Sequence, residues 1–244
     1  MRLRSKILGG LADLMFPRVC HVCHRVLQSD ERFVCESCFR DLPRIEYKTN
    51  QGGDATAIDS RTLYRVAGAL EVEKAVSWIY HNHHTSSSVL LYDMKYRGFS
   101  GLARYLGARM AAELKYTGIF TDVDCIAPIP LHPLRLMRRG YNQAYELAKG
   151  ISDTIGQPIV QPLKARHHRT QTRMEREQRQ TNVNNVFYAN ASCKLFSGRH
   201  NLPLRILLVD DVCTTGSTLV SAAQAISQAY PSVRVNILTL ALAE

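Results

Sequence analysis

One segment limits the possible fold of this chain more than any other, because it joins an apolar run to two adjacent acidic residues. Residues 206–209 read Ile-Leu-Leu-Val, and Asp210 and Asp211 follow them directly. A bend rich in hydroxyl side chains then contains Gly216, and apolar residues at helical spacing begin at Leu219. Four consecutive apolar residues are typical of a strand that is buried on both faces of a sheet. The segment therefore predicts a strand, a bend and a helix of a parallel α/β sheet.

Strand and helix patterns alternate along much of the chain. Helices are predicted at Leu102–Leu114, Ala144–Ile155 and Leu219–Ile226, and strands at Val123–Ala127, Pro158–Val160, Ile206–Val209 and Val233–Leu242. This alternation predicts a parallel sheet that helices cover on both faces. Two polar stretches, Trp78–Ser88 and Lys164–Asn185, lack such periodicity. For the first, a polar loop is favoured over a metal site at His81, His83 and His84.

Four of the seven cysteines form two Cys-x-x-Cys pairs near the N-terminus. Cys20 and Cys23 are followed, after eleven residues, by Cys35 and Cys38. This is the spacing of a zinc ribbon, in which each pair brings two sulfurs to one ion and two pairs complete a tetrahedron. Such a closed site of four thiolates is structural, and a module of about 30 residues needs the metal to fold. We interpret His21 and His24 as surface residues.

These patterns divide the chain into three parts. Residues 1–45 are predicted to hold an N-terminal helix and the zinc ribbon, residues 46–60 a linker, and residues 61–244 the α/β domain. The basic and apolar start superficially resembles a signal peptide, but Asp13 interrupts it and the apolar residues recur at helical spacing. We therefore expect a short amphipathic helix and a cytoplasmic protein. No run approaches the roughly 18 apolar residues that a spanning helix needs.

The charge of the chain indicates an anionic partner. Lys and Arg number 31 and Asp and Glu 21, which gives a net charge of +10, and a hydrophobic content of 45% excludes a disordered chain. Residues 130–182 alone hold ten Lys and Arg against four Asp and Glu. A nucleic acid, a phosphorylated metabolite and an anionic lipid all fit this balance. The alternative is a solvated basic surface.

The bend after the aspartates has the composition of an anion site. Backbone amides and the positive end of a helix suit a phosphate, and Gly216 allows close approach. The hydroxyl groups that can donate to it belong to Thr214, Thr215, Ser217 and Thr218. Asp210 and Asp211 can accept hydrogen bonds from two vicinal hydroxyls of a ribose. A Walker A loop is excluded, because no Gly-Lys-Ser/Thr is present. The alternative is an Asp-initiated turn before a capped helix.

The 14 residues from Ile206 to Leu219 resemble the phosphoribosyl-pyrophosphate (PRPP) motif of type I phosphoribosyltransferases. The resemblance implies a phosphoribosyltransferase-like fold, in which Asp210 and Asp211 hold the ribose 2′- and 3′-hydroxyls and residues 214–218 cradle the 5-phosphate. It also implies Mg²⁺, which would bridge pyrophosphate and ribose oxygens. In an active enzyme pyrophosphate would leave C1 of the ribose, a nitrogen nucleophile would attack, and the two aspartates would be the catalytic residues.

Further motifs are similar to the ComF competence-protein family, also called the GntX group. They are Lys95-Tyr96-Arg97-Gly98, Pro128-Ile129-Pro130-Leu131-His132-Pro133, Arg138-Arg139-Gly140-Tyr141-Asn142-Gln143, and Arg169-Thr170-Gln171 with Arg179, Asn182 and Phe187. Their order is that of the family, and the cysteine module lies at the same end. Tyr141 departs from the pattern, in which Phe is usual. The resemblance implies a protein that handles single-stranded DNA during natural transformation at the cytoplasmic side of the inner membrane, with a competence helicase or membrane channel as possible partners.

Two basic stretches are expected at the carboxyl-end rim of the sheet, beside Asp210. There they would neutralise a pyrophosphate or guide a nucleic-acid strand across the site. Arg138, Arg139 and Arg179 are our candidates for contact with PRPP. Lys164–Asn185 resembles the flexible hood of type I phosphoribosyltransferases, which closes over bound PRPP and excludes water.

Three functions fit these motifs. The protein is a PRPP-binding adaptor that handles single-stranded DNA, or a transferase that attaches phosphoribose to a base or another acceptor, or a PRPP sensor without a role in DNA handling. The sequence shows no segment that would recognise a base, so PRPP can be a sensed ligand instead of a substrate.

Overall fold

The computed structural model describes residues 17–49, 55–57, 61–67, 72–82, 85–166, 186–193 and 203–244. In chain order its helices and strands are α1 Glu36–Arg40, β1 Tyr47–Thr49, β2 Ala55–Ala57, α2 Arg61–Val66, β3 Val72–His81, α3 Ser86–Tyr96, α4 Ser100–Leu114, β4 Cys125–Pro128, α5 Pro133–Arg139, α6 Gln143–Ile155, β5 Leu163–Ala165, β6 Phe187–Ala189, β7 Leu204–Cys213, α7 Ser217–Ala229 and β8 Val233–Ala243. A short 3₁₀ turn, Lys115–Thr117, follows α4.

Four parallel strands form the central sheet in the order β3, β8, β7, β4. Alternate residues of β7 point to opposite faces of the sheet. Leu207 and Val209 enter one buried cluster, and Ile206 and Leu208 enter the other. The run of four apolar residues is therefore buried on both sides, as predicted. The expected fold class, a parallel sheet flanked by helices, is confirmed.

Helices cover both faces of this sheet. One buried cluster joins α3, α4 and α6 to the strands, and the other joins α2 and α7 to them. Helices α4 and α6 meet at glycines: a Cβ on Gly107 would lie 2.2 Å from the carbonyl oxygen of Leu147, and a Cβ on Gly150 would lie 1.9 Å from that of Arg104. Because only glycine permits such an approach, this contact lets α4 and α6 pack closely against each other.

The cysteine module, residues 17–45, packs on the face that α3 and α4 cover. Phe39 of the module shares a buried cluster with Trp78 of β3, and their ring centroids are 5.9 Å apart. The Arg44 guanidinium lies 4.7 Å from the centre of the Phe39 ring and donates through Nε to Glu113 Oε2 at 2.8 Å. The module and the α/β domain therefore share one core.

The stretch Trp78–Ser88, for which we predict a loop, is mostly regular structure, and that prediction is wrong. Strand β3 continues to His81, and α3 begins at Ser86. The polar groups of the strand find partners inside the protein: Trp78 Nε1 donates to Glu113 Oε2 at 2.7 Å. That partner comes from α4, so the local pattern could not reveal it. The other two histidines of the stretch lie outside the described residues.

Two small antiparallel pairs lie outside the central sheet. Strands β1 and β2 pair within the predicted linker, residues 46–60, and β5 pairs with β6. The second pair flanks the predicted hood, of which residues 167–185 lie outside the described part. The strand predicted at Pro158–Val160 is reduced to one parallel bridge between Ile126 and Ile159. The predicted N-terminal helix is also outside the described residues. None of the described helices has the length and apolar character needed to cross a bilayer.

Candidate functional site

The aspartate pair lies at the carboxyl end of β7, the place where ligands bind in open parallel sheets. Asp210 and Asp211 are both half-buried, and the Asp211 amide donates to Asp210 Oδ1 at 2.8 Å. Burial, together with the neighbouring Asp211 carboxylate, raises the pKa of Asp210 to about 8. Two carboxylates this close repel each other when both are ionised. The pair therefore suits a ligand that brings hydrogen-bond donors or positive charge.

Lys95, on the last turn of α3, supplies a positive charge to this pair. Its Nζ lies 3.2 Å from Asp211 Oδ2, and neither side chain is more than 22% exposed. Our sequence analysis did not name Lys95 as a site residue, although it lies in the Lys-Tyr-Arg-Gly motif. The motif could have pointed to Lys95, but its position in the chain does not show that the end of α3 lies beside β7.

The bend after β7 turns tightly and begins a helix. Gly216 has φ of +79°, a left-handed conformation that favours glycine, and a Cβ there would lie 2.2 Å from the carbonyl oxygen of Arg65. The Arg65 guanidinium donates to the carbonyl oxygens of Cys213 and Ala243 at 3.1 and 2.7 Å, so α2 holds the bend from behind. Because this glycine is the N-cap of α7, it has no side chain to occupy the first amides of the helix.

The predicted phosphate-binding side chains lie on this bend or on the first turn of α7. The exposed hydroxyl residues are Thr214, Thr215, Ser217 and Thr218. Thr215 Oγ1 and Ser217 Oγ are 3.0 Å apart. The structure thus places hydroxyl groups, helix amides and the aspartate pair within one short segment.

Arg138 and Arg139 lie at the end of α5, which follows the carboxyl end of β4. Each guanidinium is 5.7 Å from the centre of the Tyr96 ring, and Arg139 also donates to Gln143 Oε1 at 2.9 Å. The positive charge of Arg139 acts on the Asp210 carboxyl and partly offsets the rise in its pKa. Arg139 therefore lies near the aspartate pair, Arg138 lies over the Tyr96 ring, and Arg179 lies outside the described residues.

Polar side chains fix the segment that follows α5. The Tyr141 hydroxyl donates to the carbonyl oxygen of Met94 in α3. Asn142 Nδ2 donates to the carbonyl oxygen of Ile129 at 2.9 Å, while its Oδ1 caps α6. Tyr141 thus adds a hydrogen bond to the last turn of α3. This contact helps to hold Lys95 beside the aspartates.

The four cysteine sulfurs of the module lie within 4.8 Å of one another, and they belong to Cys20, Cys23, Cys35 and Cys38. The sulfurs of Cys23 and Cys35 are 3.7 Å apart. Four sulfurs placed about 2.3 Å from one zinc ion are separated by about 3.8 Å, so the donor set and its spacing fit zinc. The amides of Val22 and Cys35 donate to Cys20 Sγ at 3.4 and 3.3 Å, as suits a thiolate. The cluster supports a structural zinc site.

The acid–base properties of these thiols also favour a metal. Burial alone would raise the pKa of the Cys35 thiol, but hydrogen bonds from Ser37, the Cys38 amide and Arg25 lower it to about 5. Burial and the hydrogen bond with Cys35 raise the pKa of the Cys38 thiol. One sulfur thus ionises easily while its neighbour keeps a proton. A divalent cation removes this conflict, because it stabilises all four thiolates.

His21 connects the cysteine module to α3. The sequence-based interpretation as a surface residue is wrong for His21, whose side chain is 12% exposed and whose Nδ1 lies 2.5 Å from Asp93 Oδ2. Its ring meets that of Phe99 edge-on at 4.5 Å. The buried Asp93 also lies 3.5 Å from Arg97 Nε. His24 is exposed, as expected.

The cysteine module matches a known domain family. The sequence profile of the double zinc ribbon domain matches residues 11–49. Within the described part of that range the structure shows one cluster of four cysteines. The zinc-ribbon module with four cysteine ligands, predicted from the cysteine spacing, is confirmed.

Relatives extend the similarity beyond this module. Competence protein F of Haemophilus influenzae is 38% identical over 98 residues, which cover 39% of this chain and 41% of that protein. Competence protein ComFC of Bacillus subtilis is 24% identical over 226 residues, covering 91% of this chain and 83% of that protein. The chain is thus similar to the ComF competence proteins along most of its length. The resemblance drawn from its motifs is thereby confirmed. The DNA utilization protein YhgH of Salmonella typhimurium is a further relative, 26% identical over 227 residues that cover 86% of this chain and 91% of YhgH.

Two solved structures align with most of this chain at low identity. The adenine phosphoribosyltransferase of Leishmania tarentolae aligns with a TM-score of 0.37 and 12% identity, over 82% of this chain and 95% of that one. The enzyme of Leishmania donovani aligns with a TM-score of 0.38 and 11% identity, over 81% and 86%. Scores of this size describe neither the site nor the activity of this chain.

Proposed function

We propose that this protein binds PRPP with Mg²⁺ at residues 210–218 and handles single-stranded DNA. One observation carries the proposal: the aspartate pair lies beside a glycine bend that begins a helix without a capping side chain. Vicinal acceptors for a diol and exposed hydroxyl groups for a phosphate therefore occur side by side. The names of the similar proteins, competence protein and DNA utilization protein, support the DNA part of the proposal.

The proposed complex uses each group for the chemistry it offers. The 5-phosphate accepts hydrogen bonds from the amides and hydroxyls of residues 214–218. The ribose hydroxyls donate to Asp210 and Asp211, which lessens the repulsion between the two carboxylates. Lys95 and Arg139 face the pyrophosphate. Mg²⁺ neutralises charge on the pyrophosphate when it is bound.

Exposed basic residues support the part of the proposal that concerns DNA. Four exposed cations follow the carboxyl end of β4 or lie on the β5 hairpin, and they are Arg135, Arg138, Lys164 and Arg166. A surface of this kind attracts a phosphate backbone without reading its sequence. The affinity for single-stranded DNA is therefore expected to fall steeply as salt rises.

Calorimetry of the full chain tests the proposal. Wild-type protein is expected to bind PRPP in the presence of Mg²⁺, and Asp211→Asn to weaken this binding at least about tenfold, because a hydrogen bond to a charged acceptor is worth about 1.5–3 kcal/mol. Asp153→Asn is the matched control, since its carboxylate pairs with Arg104 on the surface, away from the bend. It should leave the affinity unchanged. Repeating the titration with single-stranded DNA present measures the coupling between the two ligands.

The outcomes separate the three functions. A wild-type protein that gives no heat with Mg²⁺ and PRPP, or an Asp211→Asn variant that binds as tightly as wild type, would contradict the proposed site. Release of pyrophosphate when bases are supplied would assign a transferase. PRPP binding without salt-dependent DNA binding would indicate a sensor.

A further inference from the structure

Two exposed tyrosines lie one helical turn apart on α3. Tyr92 is 54% exposed and Tyr96 is 50% exposed. Their ring centroids are 5.1 Å apart and the ring planes are tilted by 45°. The hydrophobic core of the described residues uses neither ring. Large aromatic side chains that remain in water at neighbouring positions often mark a contact surface.

Arginine side chains lie over these two rings. The Arg97 guanidinium is 5.9 Å from the centre of the Tyr92 ring, and that of Arg138 is 5.7 Å from the centre of the Tyr96 ring. Arg138 is exposed, and it forms neither a hydrogen bond nor an ion pair within the part of the chain that the structure describes. We name Tyr92, Tyr96, Arg97 and Arg138 the α3 strip. It alternates flat aromatic surfaces with positive charge.

The α3 strip connects the cysteine module with the aspartate pair. At one end Arg97 and His24 line a cavity of about 890 Å³ between the module and α4, whose walls include Phe33 and Phe99. Arg97 and His24 also line a smaller cavity of about 330 Å³, together with Tyr92. At the other end, Lys95 of the same helix reaches Asp211. A linear ligand on the strip would therefore run from the zinc module towards the bend.

We propose that the α3 strip binds a single-stranded nucleic acid, with bases stacked on Tyr92 and Tyr96 and phosphates held by Arg97 and Arg138. Charge complementarity requires an anionic partner, and exposed rings require one that offers free flat faces. A duplex does not fit, because its bases are already stacked on one another. The inference deepens the DNA part of the proposed function by assigning its path, and it does not depend on PRPP binding.

Fluorescence anisotropy with a labelled oligothymidylate tests this path on the full chain. Stacking is worth about 1–3 kcal/mol for each base, so Tyr92→Ala and Tyr96→Ala should each weaken binding at least about fivefold. Tyr92→Phe and Tyr96→Phe keep the ring and should bind as wild type does. Tyr116→Ala is the matched control, because Tyr116 is 52% exposed but lies in the turn after α4. Zinc content and thermal melting check that each variant is folded.

Salt dependence separates the arginines from the tyrosines. Arg138→Ala should reduce the slope of log affinity against log salt by about 1, whereas Tyr96→Ala should lower the affinity and keep the slope. The same titrations with an oligouridylate and with duplex DNA identify the source of the strand. Dependence on Tyr92 and Tyr96 with either single strand supports the proposal. Independence of both tyrosines for both strands, or tighter binding to the duplex, would overturn it.

The test also keeps this inference apart from the PRPP site. Asp211→Asn should retain the tyrosine-dependent binding of the oligonucleotide, because Asp211 is not part of the α3 strip. If wild-type protein did not bind PRPP but bound single strands through the tyrosines, only the proposed PRPP site would be contradicted. If it bound PRPP and the tyrosine variants bound DNA as wild type does, only the proposed role of the α3 strip would be contradicted.

Discussion

Asp210 and Asp211 are adjacent in the chain but have different electrostatic surroundings. Asp211 forms an ion pair with Lys95, whereas Asp210 has its pKa raised by burial and by the Asp211 charge. Behind them, Asp210 lies opposite Thr239 in the sheet register. The Thr239 hydroxyl joins a buried hydrogen-bonded chain through Ser77, with the two hydroxyl oxygens 2.6 Å apart. Burial and the neighbouring Asp211 charge therefore favour the protonated form of Asp210.

The raised pKa predicts how stability depends on pH. In the unfolded chain this carboxyl loses its proton near pH 4, but in the folded chain it does so only near 8. Its contribution to the free energy of unfolding therefore falls as pH rises between these values, by up to about 1.4 kcal/mol for each pH unit. Asp210→Asn cannot ionise, so urea denaturation should show it more stable than wild type at about pH 8, with the difference shrinking towards about pH 5.

Asp153→Asn provides a control, because the pKa of Asp153 is shifted in the opposite direction from that of Asp210. The hydrogen bond from Arg104 lowers the pKa of Asp153 in the folded protein. The ionised Asp153 therefore stabilises the fold fully at every pH above the pKa that this carboxyl has in the unfolded chain. This variant should be slightly less stable than wild type by the same amount at both pH values. A pH-independent difference for Asp210→Asn would contradict the argument.

At the residue scale, the sequence predicted groups that act through a local pattern. The cysteine spacing identified the metal cluster, and the order of acids, hydroxyls and glycine identified the bend. Lys95 and the His21–Asp93 contact were missed, because each joins residues that lie far apart in the chain. Only the packing of α3 between the cysteine module and β7 brings them together.

The bend between β7 and α7 depends on its contact with α2. Gly216→Ala would place a methyl group 2.2 Å from the Arg65 carbonyl oxygen in addition to its strain at positive φ. Gly140→Ala is the matched control: Gly140 has φ of +77°, but nothing lies within 4 Å of a Cβ there. We expect Gly140→Ala to lower the free energy of unfolding by about 1 kcal/mol and Gly216→Ala by at least about 2 kcal/mol, measured by urea denaturation.

The same pair of variants also tests the site. Gly216→Ala should abolish PRPP binding in calorimetry, because the bend must move away from α2, whereas Gly140→Ala should retain it. If the two variants lost the same free energy of unfolding, the close approach of the Arg65 carbonyl to a side chain at position 216 would not be destabilising.

At the scale of elements, prediction succeeded where one face or both faces of an element are uniformly apolar. Helix α4 follows its four-residue repeat, and β7 follows its apolar run. Strand β3 was not predicted, because its buried Ser77 and Trp78 carry polar groups whose partners, Thr239 and Glu113, come from other elements. A buried polar strand can be predicted only when the groups that satisfy it are known.

The cysteine module stabilises the whole molecule because it shares the core of the α/β domain. Wild-type protein is expected to contain one zinc per chain by elemental analysis. Cys23→Ser should lose it and lower the melting temperature by at least about 5 °C, since a structural zinc contributes about 10 kcal/mol to folding and the module covers Trp78. Cys193→Ser is the control, because Cys193 lies outside the cluster. A metal-free wild-type protein that melts normally would refute the site.

Helix α3 contacts both the cysteine module and the aspartate pair. In α3, Asp93 faces the first cysteine pair through His21, and Lys95, two residues later, faces the aspartates. A ligand that draws Lys95 away from Asp211 must move the Lys95 side chain while the backbone of α3 stays held by the contact between Asp93 and the cysteine module. The zinc ribbon therefore helps to support, through α3, the bend at which we propose that PRPP binds.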